Sequence, residues 1–250
     1  MKKLMFAAAV AAGFAAFGDG LESANTVGYL NNGGTVAGLN LLAPGFVDVG
    51  LTSTKLQGLK VTNAAGGEVG TGACGIDLID ENGNTITHYS WASQGRGANK
   101  TWGWEVDGTR IDGSVVLARG VGLLFTAESA GDVLNSAGDV DLSAIAFSDT
   151  VQGLNVIANP FPKTILLNTV TVTSSADGEV GTGACGIDLI DENGNTLTHY
   201  SWASQGRGAN KTWGWEVDGT RIDGSVTLTA GQAILFTAET AGDKIIFPAQ

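Results

Sequence analysis

Residues 67–115 read G-E-V-G-T-G-A-C-G-I-D-L-I-D-E-N-G-N-T-I-T-H-Y-S-W-A-S-Q-G-R-G-A-N-K-T-W-G-W-E-V-D-G-T-R-I-D-G-S-V, and the run returns at 178–226 with a single change, Ile86 to Leu197. A repeat this long exceeds any solenoid unit and reads as two copies of one domain. The match continues outward. Gly38-Leu39-Asn40-Leu41-Leu42-Ala43 corresponds to Gly153-Leu154-Asn155-Val156-Ile157-Ala158, and Leu123-Leu124-Phe125-Thr126-Ala127-Glu128 to Ile234-Leu235-Phe236-Thr237-Ala238-Glu239. Each copy has an ordinary domain size. The expected organisation is a leader over 1–18, a first module over 19–139 and a second over 140–250. Near-identity between the copies marks no individual site, because duplication leaves functional and filler residues equally unchanged.

Within each copy the signals are those of strands. Short β-branched and aromatic runs alternate with turn dipeptides at close spacing. In the first module strands are expected at 24–30, 35–43, 56–62, 73–80, 84–92, 101–107, 113–118, 121–127 and 132–136. Asn82-Gly83 is a hairpin turn signal, because glycine accepts the positive φ such turns demand. Asp107-Gly108 and Asp112-Gly113 punctuate the next connections. The fold class is therefore all-β: two tandem antiparallel β-sandwich modules, of jelly-roll or immunoglobulin-like type.

Residues 1–18 have the layout of a secretory signal. Lys2 and Lys3 precede an apolar run over 4–17, and Ala16-Phe17-Gly18 offers small residues for cleavage before Asp19. The apolar run is shorter than the roughly 20 residues a spanning helix needs. The expected location is thus extracellular or on the cell surface, without direct membrane insertion. The chain carries 25 acidic and 13 basic residues, a formal charge of −12, and loss of Lys2 and Lys3 makes it more negative. That balance repels phosphate backbones and anionic lipid, which argues against nucleic-acid partners. With 38 glycines and 43% apolar residues the composition fits an ordered, turn-rich protein and not a disordered one.

The chemistry-bearing residues are few. Cys74 and Cys185 occupy one position in the two copies, and Cys74 shares strand parity with Ile76 and Leu78, so a buried, unpaired thiol is expected. A Cys74–Cys185 bond would require the modules to set those strands side by side. Asp80-Glu81-Asn82-Gly83-Asn84 resembles a calcium loop only loosely, since the glycine and the terminal glutamate are out of place. No cofactor or metal is implied. His88 and its copy His199 are the only histidines, and Ser90 shares a strand face with His88. A nucleophile and its base need converging geometry and an orienting acid, but these neighbours are separated along the strand and no G-x-S-x-G elbow is present, so no enzyme is expected.

The aromatics allow two readings. Trp102, Trp104 and Val106 alternate with Thr101, Gly103 and Glu105, which turns the tryptophans toward a core. Tyr89 and Trp91 share parity with Thr85 and Thr87, so Tyr89, Trp91, Tyr200 and Trp202 are the candidates for an exposed platform that stacks on sugar rings. The loop Gln94-Gly95-Arg96-Gly97-Ala98-Asn99-Lys100 supplies Arg96 and Lys100, with Arg207 and Lys211 in the second copy, as candidate self-association contacts through a neighbour's carboxylates.

Two phrases together resemble a known group. Glu22-Ser23-Ala24-Asn25-Thr26-Val27-Gly28-Tyr29 follows the leader, and Gly153-Leu154-Asn155-Val156-Ile157-Ala158-Asn159-Pro160-Phe161-Pro162 closes a strand. The chain resembles largely uncharacterised exported proteins of verrucomicrobia-like bacteria that carry one or two β modules marked by such phrases. The first module departs from the pattern, with Ala43-Pro44-Gly45-Phe46 in place of A-N-P-F. The resemblance implies export and a β fold and carries no site residues. The functional expectation is a secreted, non-enzymatic structural or surface protein that self-associates, with the terminal strands near 24–30 and 244–248 as edges for the next subunit. The alternative is a bivalent glycan-binding protein whose partner is a surface polysaccharide.

Overall fold

A computed structural model describes residues 27–32, 35–46, 53–79, 85–190 and 196–250. The expected leader and the Asn82-Gly83 turn, with the acidic segment around it, lie outside those residues. Among them the chain is all-β. The first half contributes β1 (Val27–Asn32), β2 (Gly38–Leu42), β3 (Ser53–Lys55), β4 (Lys60–Thr62), β5 (Cys74–Ile79), β6 (Thr85–Gln94), β7 (Thr101–Val106), β8 (Thr109–Arg110), β9 (Val116–Ala118), β10 (Leu123–Ala127) and β11 (Val133–Asp139). The second half contributes β12 (Ile145–Phe147), β13 (Gly153–Ala158), β14 (Ile165–Leu166), β15 (Thr171–Thr173), β16 (Cys185–Ile190), β17 (Thr196–Gln205), β18 (Thr212–Val217), β19 (Thr220–Arg221), β20 (Thr227–Leu228), β21 (Ala233–Ala238) and β22 (Lys244–Phe247).

Each half forms a β-sandwich. A six-stranded antiparallel sheet, ordered β2-β10-β5-β6-β7-β8, faces a three-stranded sheet β1-β11-β4 and a ribbon β3-β9. The second half repeats this as β13-β21-β16-β17-β18-β19, β12-β22-β15 and β14-β20. Alternation explains the inner face. In β10 Leu123, Phe125 and Ala127 are buried while Leu124 and Thr126 between them are only partly so. Their ladder partners Ile76, then Tyr89 opposite Ile76, carry the apolar row across the sheet. Leu134 of β11 and Val61 of β4 close the core from the other side, and Leu56 and Leu117 close it from the ribbon end.

One local feature differs from the expected strands, and one expected turn is present. Residues 56–58 form a single 3-10 turn before β4, where a continuous strand was expected. That turn sets Leu56 and Leu59, three residues apart, on one side, and both are fully buried. At the β7–β8 connection Asp107 and Gly108 both take positive φ, 49° and 75°, the backbone of a tight two-residue hairpin.

Of the two terminal strands, the C-terminal one differs from expectation, while β1 is an edge strand. β22 lies between β12 and β15 with ladders on both sides, so it offers no free edge. β1 pairs along one side with β11, from Val27 opposite Asp139 to Asn32 opposite Leu134. Among the described residues no helix is long and apolar enough to cross a membrane.

Candidate functional site

Three places concentrate polar or specialised groups: the outer face of each six-stranded sheet, a clasp on the β6–β7 loop, and the seam between the halves.

On the outer face the ladder sets Asp77 of β5 opposite His88 of β6. The carboxylate Oδ1 lies 2.8 Å from the imidazole Nδ1, and 2.7 Å separates the equivalent Asp188 and His199. The ring folds across Gly75, where a Cβ would stand 2.5 Å from its Cε1. Ser90 sits between Gly75 and Glu105 in the same cross-strand row. Glu105 accepts from Gln94 at 2.7 Å and lies 3.3 Å from Arg110, whose Nη1 also donates to the Ala92 carbonyl at 3.1 Å. Arg110 lies flat over Gly103, where a Cβ would come within 2.6 Å of it.

Asp77 is thus an acid able to orient the His88 imidazole. The ladder of β5 with β6 sets residue 77 against residue 88, the pairing that a hairpin centred on Asn82-Gly83 in the sequence would imply. An acid–imidazole pair orients a ring but does not activate a nucleophile until a hydroxyl reaches the other nitrogen. Among the described residues no hydrogen bond joins Ser90 to His88, and the exposed Ile86 shares their side of β6.

The aromatic platform requires correction. Tyr89 and Tyr200 are 8% exposed, Trp91 6% and Trp202 5%, so none of the four presents a ring to solvent. Their parity with Thr85 and Thr87 was read properly, but the face was not. Thr85 and Thr87 stand at the far end of a long strand, whereas Tyr89 and Trp91 lie opposite Ile76 and Cys74 in the core. Trp91 packs edge-on to Trp104 at 5.2 Å and parallel to Trp102 at 6.1 Å. Trp104 is buried, as its alternation predicted, and its Nε1 donates to the Leu59 carbonyl at 3.0 Å.

Trp102 is only partly buried and belongs to the loop clasp. Its Nε1 donates to Glu68 Oε1 at 2.9 Å. Lys100 Nζ bonds the other carboxylate oxygen at 2.5 Å and stands 4.7 Å from the indole centroid. The second half repeats the clasp with Glu179, Lys211 and Trp213. The Lys100 ammonium foremost, and then the indole N–H, hold the Glu68 carboxyl below its ordinary range. Lys100 and Lys211, expected as contacts to a neighbouring subunit, thus already bind carboxylates of their own chain. Arg96 and Arg207 are exposed at the tips of the same loops.

Cys74 and Cys185 are unpaired, 1% exposed, and enclosed in the cores of separate halves. Burial pushes each thiol up to about 11. Each Sγ points at a buried acid, Asp132 at 3.6 Å and Asp243 at 3.8 Å. Among the described residues no three His, Cys, Asp or Glu side chains converge as a metal site would require. A cleft of about 760 Å³ opens between the halves, lined by Ile86, Val121, Phe147, Leu154 and Val156 among others. It is largely apolar, with few directional groups to orient a ligand.

The seam is the most specialised feature. Leu42 bridges Gln232, and Val121 bridges Ile157. Ala43 N–H donates to the Gly231 carbonyl at 3.0 Å, and Ala158 N–H to the Gly120 carbonyl at 2.9 Å. In the repeat Leu42 corresponds to Ile157, Ala43 to Ala158, Gly120 to Gly231 and Val121 to Gln232. Each of these contacts therefore occurs twice with the roles of the halves exchanged, the signature of a two-fold, isologous interface. Ala43, Ala158 and Ala233 form a small buried cluster there, and their short side chains let the backbones approach. The ends of edge strands β2 and β13 are thereby covered.

The symmetry is not complete: Asn159 N–H donates to the Gln232 carbonyl at 3.0 Å, whereas its counterpart Pro44 has no N–H, and a buried arginine is confined to one half. Arg119, with Ala230 as its counterpart, is buried in the seam. Its Nη1 donates to Asp141 Oδ2 at 2.8 Å and Ser143 Oγ at 3.2 Å, and its Nη2 to the Asp141 and Ser143 carbonyls at 2.7 and 2.9 Å. Its Nε reaches the Pro160 carbonyl at 3.4 Å, and the guanidinium lies 5.1 Å from the Phe161 ring. Asn159, fully buried, donates to the Lys163, Leu228 and Thr229 carbonyls and accepts from Phe161 N–H, which explains the asparagine of the N-P-F-P phrase. The chain matches no protein-family model, no curated protein and no solved structure.

Proposed function

We propose that this chain is a secreted, non-enzymatic structural protein that self-associates at the cell surface or in the extracellular matrix. The observation that carries the reading is the seam: a surface of the module fits a copy of the same module. Backbone hydrogen bonds cross it in both directions. A protein built to associate with itself needs such a self-complementary surface, and tandem copies multiply it. The remaining specialised groups agree with this reading. The large rings hold the cores together, and Lys100 and Lys211 clasp their own loops. The resemblance to exported tandem β-module proteins supports secretion, as do the charged start and apolar run of residues 1–18. The glycan-binding alternative loses its exposed platform with the burial of Tyr89, Trp91, Tyr200 and Trp202.

The test is the mass of the chain from residue 19 onward, followed by sedimentation across a wide concentration range and by negative-stain microscopy. Oligomers that grow with concentration, or filaments, are expected. A species that stays monomeric at the highest concentrations refutes the reading.

A further inference from the structure

We infer that the seam is exchangeable between chains: the first half of one molecule can take the second half of another in place of its own. The inference rests on the self-association reading above and names the surface that would carry it. The bridges Leu42–Gln232 and Val121–Ile157 and the paired backbone bonds join elements of the two sandwiches themselves. None of them depends on the halves belonging to one chain. The connection between β11 and β12 is residues 140–144, held by Arg119 at Asp141 and Ser143 and by the Gln250 N–H at the Leu142 carbonyl; unfolding releases it to an extended length of about 17 Å, which lets the halves separate and re-pair.

Arg119 decides which halves pair. It is present only in the first half, and its acceptors Asp141, Ser143 and Pro160 lie in the connection and the second half. Two first halves would bury a guanidinium against Gly45, at the position of Pro160, without the connecting acid; two second halves would lack the guanidinium altogether. Pairing of first with second is therefore favoured over pairing of like halves. Every chain carries one of each half, so trans pairing closes two chains into a ring or runs on as an open series. The same contact thus serves as a closed monomer or as the repeating joint of an assembly.

A cross-link placed on the seam tests this. In the chain from residue 19 onward, Leu42→Cys with Gln232→Cys puts two thiols on ladder partners, while Cys74 and Cys185 stay enclosed. The variant is unfolded under reduction, refolded at rising protein concentration, oxidised and separated without reductant. Covalent dimers and larger species that rise with concentration and collapse on reduction are expected. Val121→Cys with Ile157→Cys, on the opposite half of the seam, reads the same event if the first variant refolds poorly. If light scattering detects assemblies while every cross-link stays within one chain, exchange is wrong and another surface carries self-association. If the chain is monomeric at all concentrations with only intrachain cross-links, both readings fall.

Discussion

Replacing Arg119 by alanine reproduces in the first half what the second half already has at Ala230. The guanidinium makes four donor contacts to Asp141 and Ser143 and one to Pro160, and its side chain is 7% exposed. Removing one member of a buried ion pair costs about 3–5 kcal/mol where the partner stays buried. Asp141 is 31% exposed and regains water, so the loss falls to about 2–4 kcal/mol. With a urea slope of about 2–3 kcal/mol/M, the midpoint should fall by about 1 M. The cost falls on the coupling between the halves, so the transition should also broaden or split. Urea unfolding followed by tryptophan fluorescence reports it, since three tryptophans lie in each half. Arg119→Lys keeps the charge but not the planar fork, and should recover less than half of the loss. A midpoint and slope unchanged in Arg119→Ala would show that the anchor does not couple the halves.

The pH dependence of the same contact has a definite sign. Burial works to raise the Asp141 carboxyl, but Ser143 and Arg119 outweigh it and hold the value below the ordinary 3.8. A lowered folded value means the contribution is complete above about pH 4 and disappears as pH falls through the folded value. Acid titration of stability should show this loss in the parent and a smaller one in Arg119→Ala, where the bonds from Ser143 to Asp141 remain. Trp104→Ala removes a fully buried ring and its bond to Leu59, and should cost about 3–5 kcal/mol, seen as early unfolding of the first half; near-parent stability would contradict the core assignment. Cys74 and Cys185 should resist a thiol reagent at pH 8 in the folded chain and react stoichiometrically once it is unfolded, because burial holds both near 11. Rapid labelling of the native protein would count against their enclosure. Asn159→Ala leaves carbonyls of three residues without their donor and should cost about 1–3 kcal/mol, measured by thermal melting.

Several of these features were legible in the chain before any fold was known. Alternation in T-W-G-W-E-V assigned Trp104 to the core, and the parity of Cys74 with Ile76 enclosed the thiol. Tyr89 and Trp91 were misassigned because a face was judged from Thr85 and Thr87, which occupy the inward parity at the exposed end of β6. The bond of Lys100 to Glu68 has no local signal, because Glu68 lies 32 residues away along the chain and reaches it only when the loops meet. Arg119 gave one sequence signal, its replacement by Ala230 in the second copy, and that difference has no meaning without the seam.

Local physics accounts for the division. Alternation, turn residues and the repeat act over a few neighbours or along the line of the chain, so the sequence by itself determined an all-strand, doubled architecture and most strand positions. Sheet order, the inward or outward sense of a face at a strand's end, the pairing of Asp77 with His88 and the two-fold seam all depend on which distant segments meet. Only the tertiary structure decided those, because contacts between remote residues are chosen by burial of the whole surface and not by any one segment's preference.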